Sequence, residues 1–133
     1  MREARCGCGA LTVETPDDPK LVIQCHCTDC QRRTGAPFGV GAYFDRNDVH
    51  ATGKSTAFAR TGDAGRTLEN HFCPVCGTTV FWFVEFNPDF VGVAAGCFND
   101  PAFPAPNRSV FERSKVKWVT VPEGVACFDA TSV

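Results

Sequence analysis

Seven cysteines in three tight clusters constrain this chain more than any other feature of it. They stand at Cys6-Gly7-Cys8-Gly9, at Cys25-His26-Cys27-Thr28-Asp29-Cys30 and at Cys73-Pro74-Val75-Cys76-Gly77, with Cys97 and Cys127 alone. A disulfide framework fits this pattern poorly. Nine is an odd count, and Cys-x-Cys and Cys-x-x-Cys spacings are too tight for most disulfide pairs. The first residues, Met1-Arg2-Glu3-Ala4-Arg5-Cys6, also lack the apolar core of a signal peptide. The expected location is therefore cytoplasmic, where thiols clustered in this way are metal ligands.

Ligand counting divides the clusters. A structural zinc takes four tetrahedral thiolate or imidazole ligands. Cys73 and Cys76 form a knuckle, and Gly77 lets the backbone turn beneath the sulfurs. The simplest partner pair is Cys6 with Cys8. A four-thiolate site would tie the N-terminus to the middle of the chain, a cross-link that a small domain needs for folding. Cys25, Cys27 and Cys30 then remain as a set of three, the ligand count of a catalytic zinc with an exchangeable fourth position. The competing reading closes that site with His26, His71, Cys97 or Cys127.

The rest of the sequence frames a single domain over residues 1–133. Apolar residues make up 44% and charged residues 21% of the chain, with 12 Phe against 1 Met. Short period-two or apolar runs occur at residues 11–14, 20–24, 38–44, 55–59, 67–72, 78–84, 90–95, 109–111 and 117–121, separated by turn signals. They predict a mainly β, all-β fold of two or three small sheets with little helix. One helical turn is expected over 28–34 and an irregular loop over 101–106. No apolar run approaches the ~20 residues of a membrane span. The net charge of −2 and the lack of any Lys/Arg block argue against nucleic acid or an anionic membrane as partner.

The motifs resemble those of the glutathione-dependent formaldehyde-activating family, which includes the centromere protein V type. The resemblance rests on Cys6 to Gly9, on Cys25 to Gly35, and on Phe72 to Gly77. It continues through Gly35-Ala36-Pro37-Phe38, Gly53, Gly96-Cys97-Phe98-Asn99-Asp100-Pro101, Val110-Phe111 and Trp118, and so covers nearly the whole chain. The resemblance implies a β-tent type fold and two zinc ions per chain. By position, Cys6, Cys8, Cys73 and Cys76 would hold the structural zinc, and Cys25, Cys27 and Cys30 the catalytic one. It also implies a carbon–sulfur lyase-type reaction that joins glutathione, as co-substrate, to formaldehyde. Gly7, Asn99 and Ser109 depart from the family pattern without removing a ligand.

The reaction has expected parts. A thiol enters the open zinc position as a thiolate and adds to an aldehyde carbonyl. Arg32 and Arg33, and less strongly Arg66, are placed to orient the carboxylates of glutathione. His26 and Asp29 are candidates for moving protons. Partners are thus a small-molecule thiol and aldehyde, with homo-oligomerisation left open. The alternative is a non-catalytic zinc-stabilised β module that binds a protein partner or a thiol. It would display Phe81, Trp82, Phe83, Phe86 and Phe90 as a contact face, although their alternation assigns Phe81 and Phe83 to one side and Trp82 to the other.

Overall fold

The computed structural model describes residues 1–132. Eleven strands are present among them: β1 (Arg2–Arg5), β2 (Thr12–Thr15), β3 (Leu21–Cys25), β4 (Gly39–Asp45), β5 (His50–Thr52), β6 (Thr56–Thr61), β7 (Thr67–Phe72), β8 (Thr79–Val84), β9 (Phe90–Ala94), β10 (Arg108–Val110) and β11 (Ala126–Cys127). One α-helix, α1, spans Thr28–Thr34. The fold is mainly β, as the strand-rich pattern predicts. The two sheets are unequal, one of three strands in the order β1-β2-β5 and one of eight in the order β11-β10-β3-β4-β9-β8-β7-β6.

The alternation of side chains gives the large sheet two distinct faces. Val22, Ala42, Val93 and Phe81 lie in one cross-strand row, and Phe44, Val91 and Phe83 in the next. Most of these side chains meet Ala4, Leu11 and Val13 in a single buried cluster, with Phe83 packed at its margin, so the small sheet covers this face. The opposite face carries the row Leu21, Tyr43, Gly92, Trp82, Asn70 and Phe58 across six strands. Phe81 and Phe83 thus do point away from Trp82. Phe81 stacks on His71 at 4.7 Å and is 7% exposed, which commits it to packing.

Three strands escape the sequence pattern. The β1 segment, Arg-Glu-Ala-Arg, has one apolar residue, and it is the pairing of Ala4 with Val13 that draws it into the sheet. Strands β5 and β11 are three and two residues long and exposed. Conversely, the alternating run at 117–121 forms no strand. It turns on itself through Val119 N–H to Val116 O at 3.0 Å, burying Val119 and leaving Trp118 74% exposed. No described helix is long and apolar enough to cross a membrane.

Two cysteine clusters and the cavity beside one of them

The four-cysteine cluster is assembled by two similar turns. After β1 the chain reverses through Gly9 N–H to Cys6 O at 3.1 Å, with Gly9 at φ 82°. Between β7 and β8 it reverses through Gly77 N–H to Cys73 O at 2.8 Å, with Gly77 at φ 80°. Both glycines adopt the left-handed conformation that a Cβ would disfavour. In each turn a backbone amide donates to a sulfur: Leu11 to Cys6 Sγ at 3.2 Å and Val75 to Cys73 Sγ at 3.4 Å. The turns are joined by Gly7 N–H to Thr78 Oγ1 at 3.1 Å. Thr78 also donates to Cys76 from its hydroxyl and its backbone, which holds that thiol down to about 5.

The geometry suits a metal. The sulfurs of Cys6, Cys8, Cys73 and Cys76 all lie within 4.8 Å of one another. Cys6 to Cys8 and Cys8 to Cys73 are each 3.7 Å. A tetrahedral ion with sulfur ligands at about 2.3 Å requires sulfurs about 3.8 Å apart, whereas a disulfide would bring them to about 2 Å. All nine cysteines are free thiols. The four could hold a metal ion, and their spacing is consistent with zinc.

The three-cysteine cluster surrounds the start of α1. Cys25 ends β3, Cys27 is the N-cap residue, and Cys30 lies in the first turn, donating its backbone N–H to Cys27 Sγ at 3.3 Å. A sulfur here does the work of a capping oxygen. Gly35 closes the helix in the left-handed conformation, its N–H bonded to Gln31 O. The three sulfurs lie within 4.8 Å of one another, and these residues too could hold a metal ion. Among the described residues no fourth His, Cys, Asp or Glu joins them. Charge concentrates on Cys27, whose pKa is lowered because the thiols of Cys25 and Cys30 donate to it, with the Cys30 amide and the Arg60 cation adding to the effect.

The candidate fourth ligands are engaged elsewhere. His26 is fully buried, and its Nε2 lies 3.0 Å from Ser109 Oγ. Ser109 in turn donates to Glu112 Oε2 at 2.6 Å, so its oxygen accepts from the imidazole. Burial lowers the His26 pKa. His71 bonds Ser55 and Glu69 at 2.9 and 2.7 Å. Cys97 is buried beside Thr79 O, and Cys127 is exposed.

The trio opens onto a cavity of about 160 Å³ on the Tyr43–Trp82 face of the large sheet. Its floor is Trp82, whose Nε1–H donates to Tyr43 Oη at 3.2 Å. The Arg33 guanidinium covers the indole at 4.6 Å. Arg32 is exposed and borders a separate shallow depression beside Gly35 and Pro37. Of the two adjacent arginines, therefore, only Arg33 faces the cysteines. Arg66 also lines the cavity, its guanidinium 4.1 Å from the Phe86 ring. The β6–β7 turn folds over the helix: Asp63 accepts from Thr28 N–H and hydroxyl at 3.1 and 2.9 Å, and Arg60 pairs with Asp29 at 3.0 Å. That pair commits Asp29 to structure.

Sequence reasoning missed Arg60, Tyr43 and Asn70, all of which line the cavity. Arg60 and Asn70 each keep one buried side-chain atom, Nε and Oδ1, without a hydrogen-bond partner among the described residues. Burial pushes the Tyr43 hydroxyl up to about 12, so it stays protonated. The only sequence signal for these three was strand alternation, which places them on one face once the register is known.

A family model described as glutathione-dependent formaldehyde-activating enzyme matches residues 1–114. The fold is similar to the crystal structure of a Rhodobacter sphaeroides protein, with a TM-score of 0.58 and 19% identity over 95% of this chain and 98% of that one.

Proposed function

The chain belongs to the glutathione-dependent formaldehyde-activating family, and from that premise we propose that it joins a thiol such as glutathione to a small aldehyde at the Cys25, Cys27 and Cys30 cluster. In this reading the chain carries two zinc ions. Cys6, Cys8, Cys73 and Cys76, none of which lines the cavity, hold the structural one. Cys25, Cys27 and Cys30 hold the catalytic one. The observation that carries the reading is that these three border the cavity with no fourth His, Cys, Asp or Glu ligand among the described residues. Unprotected thiols at both clusters fit a reducing, cytoplasmic setting.

Bound zinc would supply a Lewis acid that keeps a thiol ionised at neutral pH and can polarise a carbonyl. The chain's own residues do the rest. The Arg60 guanidinium, beside Cys27, stabilises negative charge on incoming sulfur or on the aldehyde oxygen as it gains charge. Tyr43 accepts from Trp82 and remains protonated, so its hydroxyl can deliver a proton to that oxygen. Arg33, fixed flat on Trp82, presents a cation to a thiol's carboxylate. The apolar walls exclude bulk water and strengthen each of these interactions. The reverse reaction, breaking the carbon–sulfur bond, uses the same groups in the opposite direction.

The alternative, a non-catalytic module, is favoured by no comparable observation, since Phe81 and Trp82 of its proposed contact face are buried. The deciding experiment is elemental analysis before and after dialysis against glutathione with a mild chelator. Two zinc ions per chain, one protected or displaced by glutathione, support the reading. One tightly held ion indifferent to thiol sinks it.

A further inference from the structure

The lining of the cavity is poorly matched to formaldehyde. Formaldehyde has two heavy atoms, whereas an apolar cavity of about 150 Å³ accommodates a benzene ring, and this one measures about 160 Å³. Between its polar groups the cavity has hydrocarbon walls, with Ile23 and Leu21 from β3, Leu68 from β7, Val84 from β8 and Phe111 after β10. Apolar surface is more stable covered by an apolar body than by water, so these walls favour an apolar occupant. The enclosing Trp82 is itself fixed by Tyr43 and Arg33, so the space is preformed.

Two of the polar atoms in this lining bear on the occupant. Arg60 Nε and Asn70 Oδ1 are buried and have no partner among the described residues. They belong to adjacent strands: Arg60 pairs with Leu68 and Phe58 with Asn70, so the two are diagonal neighbours on one face, at about 7–8 Å between backbones. A buried polar atom without a partner keeps its desolvation cost uncompensated. Here one is a donor and one is an acceptor. A hydrocarbon alone would satisfy neither, but a compact apolar body bearing a carbonyl that becomes a hydroxyl would satisfy both in turn.

We propose that the aldehyde this cavity takes is aromatic or similarly compact and apolar, benzaldehyde-sized, with its oxygen directed to Arg60 and Asn70. The inference rests on the thiol–aldehyde reading above and refines its substrate. In the reaction a carbon–sulfur bond forms between thiolate and carbonyl carbon. The carbonyl π pair moves to oxygen, which takes up a proton from Tyr43; the proton the thiol released restores the tyrosine, and nothing is oxidised or reduced. The aldehyde accepts from Arg60 through its carbonyl, and the hemithioacetal hydroxyl then donates to Asn70.

The test separates binding from turnover. Trp118 is exposed and far less enclosed than Trp82, so a Trp118→Phe protein reports on Trp82 emission alone. The zinc-loaded variant is titrated with benzyl alcohol, a non-reactive mimic, and with methanol. Benzyl alcohol is expected to shift the emission with half-saturation at least ten-fold below that of methanol, and Ile23→Phe, which fills the cavity, to weaken it at least ten-fold at unchanged melting temperature. Hemithioacetal formation with glutathione is then followed for benzaldehyde and formaldehyde, and kcat/KM is expected to favour benzaldehyde at least ten-fold. Equal response to the two alcohols, or a kcat/KM favouring formaldehyde, overturns the inference. Turnover of formaldehyde alone would do so while leaving the thiol–aldehyde reading intact. Binding of benzyl alcohol with no turnover of either aldehyde would instead support the cavity's ligand class and overturn the reaction.

Discussion

Gly92 lies directly beneath the indole of Trp82, so that a Cβ on Gly92 would overlap Nε1 of the ring. Gly41 lies under the other end, where a Cβ would stand 2.7 Å from Cζ2. Neither glycine has a left-handed backbone. Each is small because the indole lies flat across β4 and β9, and that placement forms the cavity floor. Gly92→Ala is expected to tilt Trp82 away from Tyr43 and to destabilise the protein by about 1–3 kcal/mol through overpacking. Urea unfolding measures the loss, and a shift in Trp82 emission locates it.

The two cysteine clusters are expected to respond differently to loss of one sulfur. In the proposed reading Cys76→Ser breaks the zinc cross-link between the β1–β2 and β7–β8 turns, and structural zinc is worth about 10–16 kcal/mol in zinc-finger peptides. It should yield unfolded or aggregated protein with less than two zinc ions per chain. Cys27→Ser should keep most of the melting temperature and lose thiol binding. Circular dichroism melts with metal analysis decide this. A stable Cys76→Ser protein, or a collapsed Cys27→Ser one, would reverse the assignment of the two clusters.

Tyr43→Phe should lower kcat by about 10²-fold or more if its hydroxyl acts as the proton donor, the usual scale for general acid catalysis. The loss of its bond with Trp82 should cost only about 1 kcal/mol. Zinc content should remain at the parent level. A kcat equal to the parent's, measured with any aldehyde that is turned over, would remove Tyr43 from the mechanism.

Asp100 gives a pH signature independent of the cysteines. Its carboxylate accepts from Ala102 N–H at 2.9 Å and from Arg2 at 2.5 Å, and these bonds lower its pKa from the ordinary 3.8. A depressed carboxylate pKa favours the folded state above the unfolded value, and the benefit is lost as pH falls through the folded value. Asp100→Asn should therefore melt below the parent at neutral pH, with the gap narrowing as pH drops below about 4. A gap that is constant with pH would show that the Arg2–Asp100 pair contributes nothing through charge.

Much of the architecture was legible in advance because its causes are local. The helix at 28–34 follows from a polar run closed by Gly35, and its observed bounds agree with the expectation. The runs at 67–72 and 78–84 became β7 and β8 within a residue at their ends, because their apolar alternation matches the pleat. Strand β1 was missed because its pairing partner, rather than its own composition, makes it a strand. The segment 117–121 was misread because alternation without an available neighbour forms no ladder, and its Val119 N–H is satisfied by a turn. The choice between Arg32 and Arg33 was equally closed to sequence, since it depends on where Trp82 lies.

The sequence by itself determined the trio Cys25, Cys27 and Cys30 and the pairs Cys6–Cys8 and Cys73–Cys76, because a turn of three or four residues sets which sulfurs in a segment can converge; the meeting of the two pairs is a long-range contact. Only the tertiary structure decided that Arg60, Asn70, Tyr43 and Trp82 meet beside the trio. They come from β6, β7, β4 and β8, and the long-range register of those strands sets both their common face and their distance from Cys27. Register is a property of paired strands, and a one-residue slip would turn every one of these side chains to the other face.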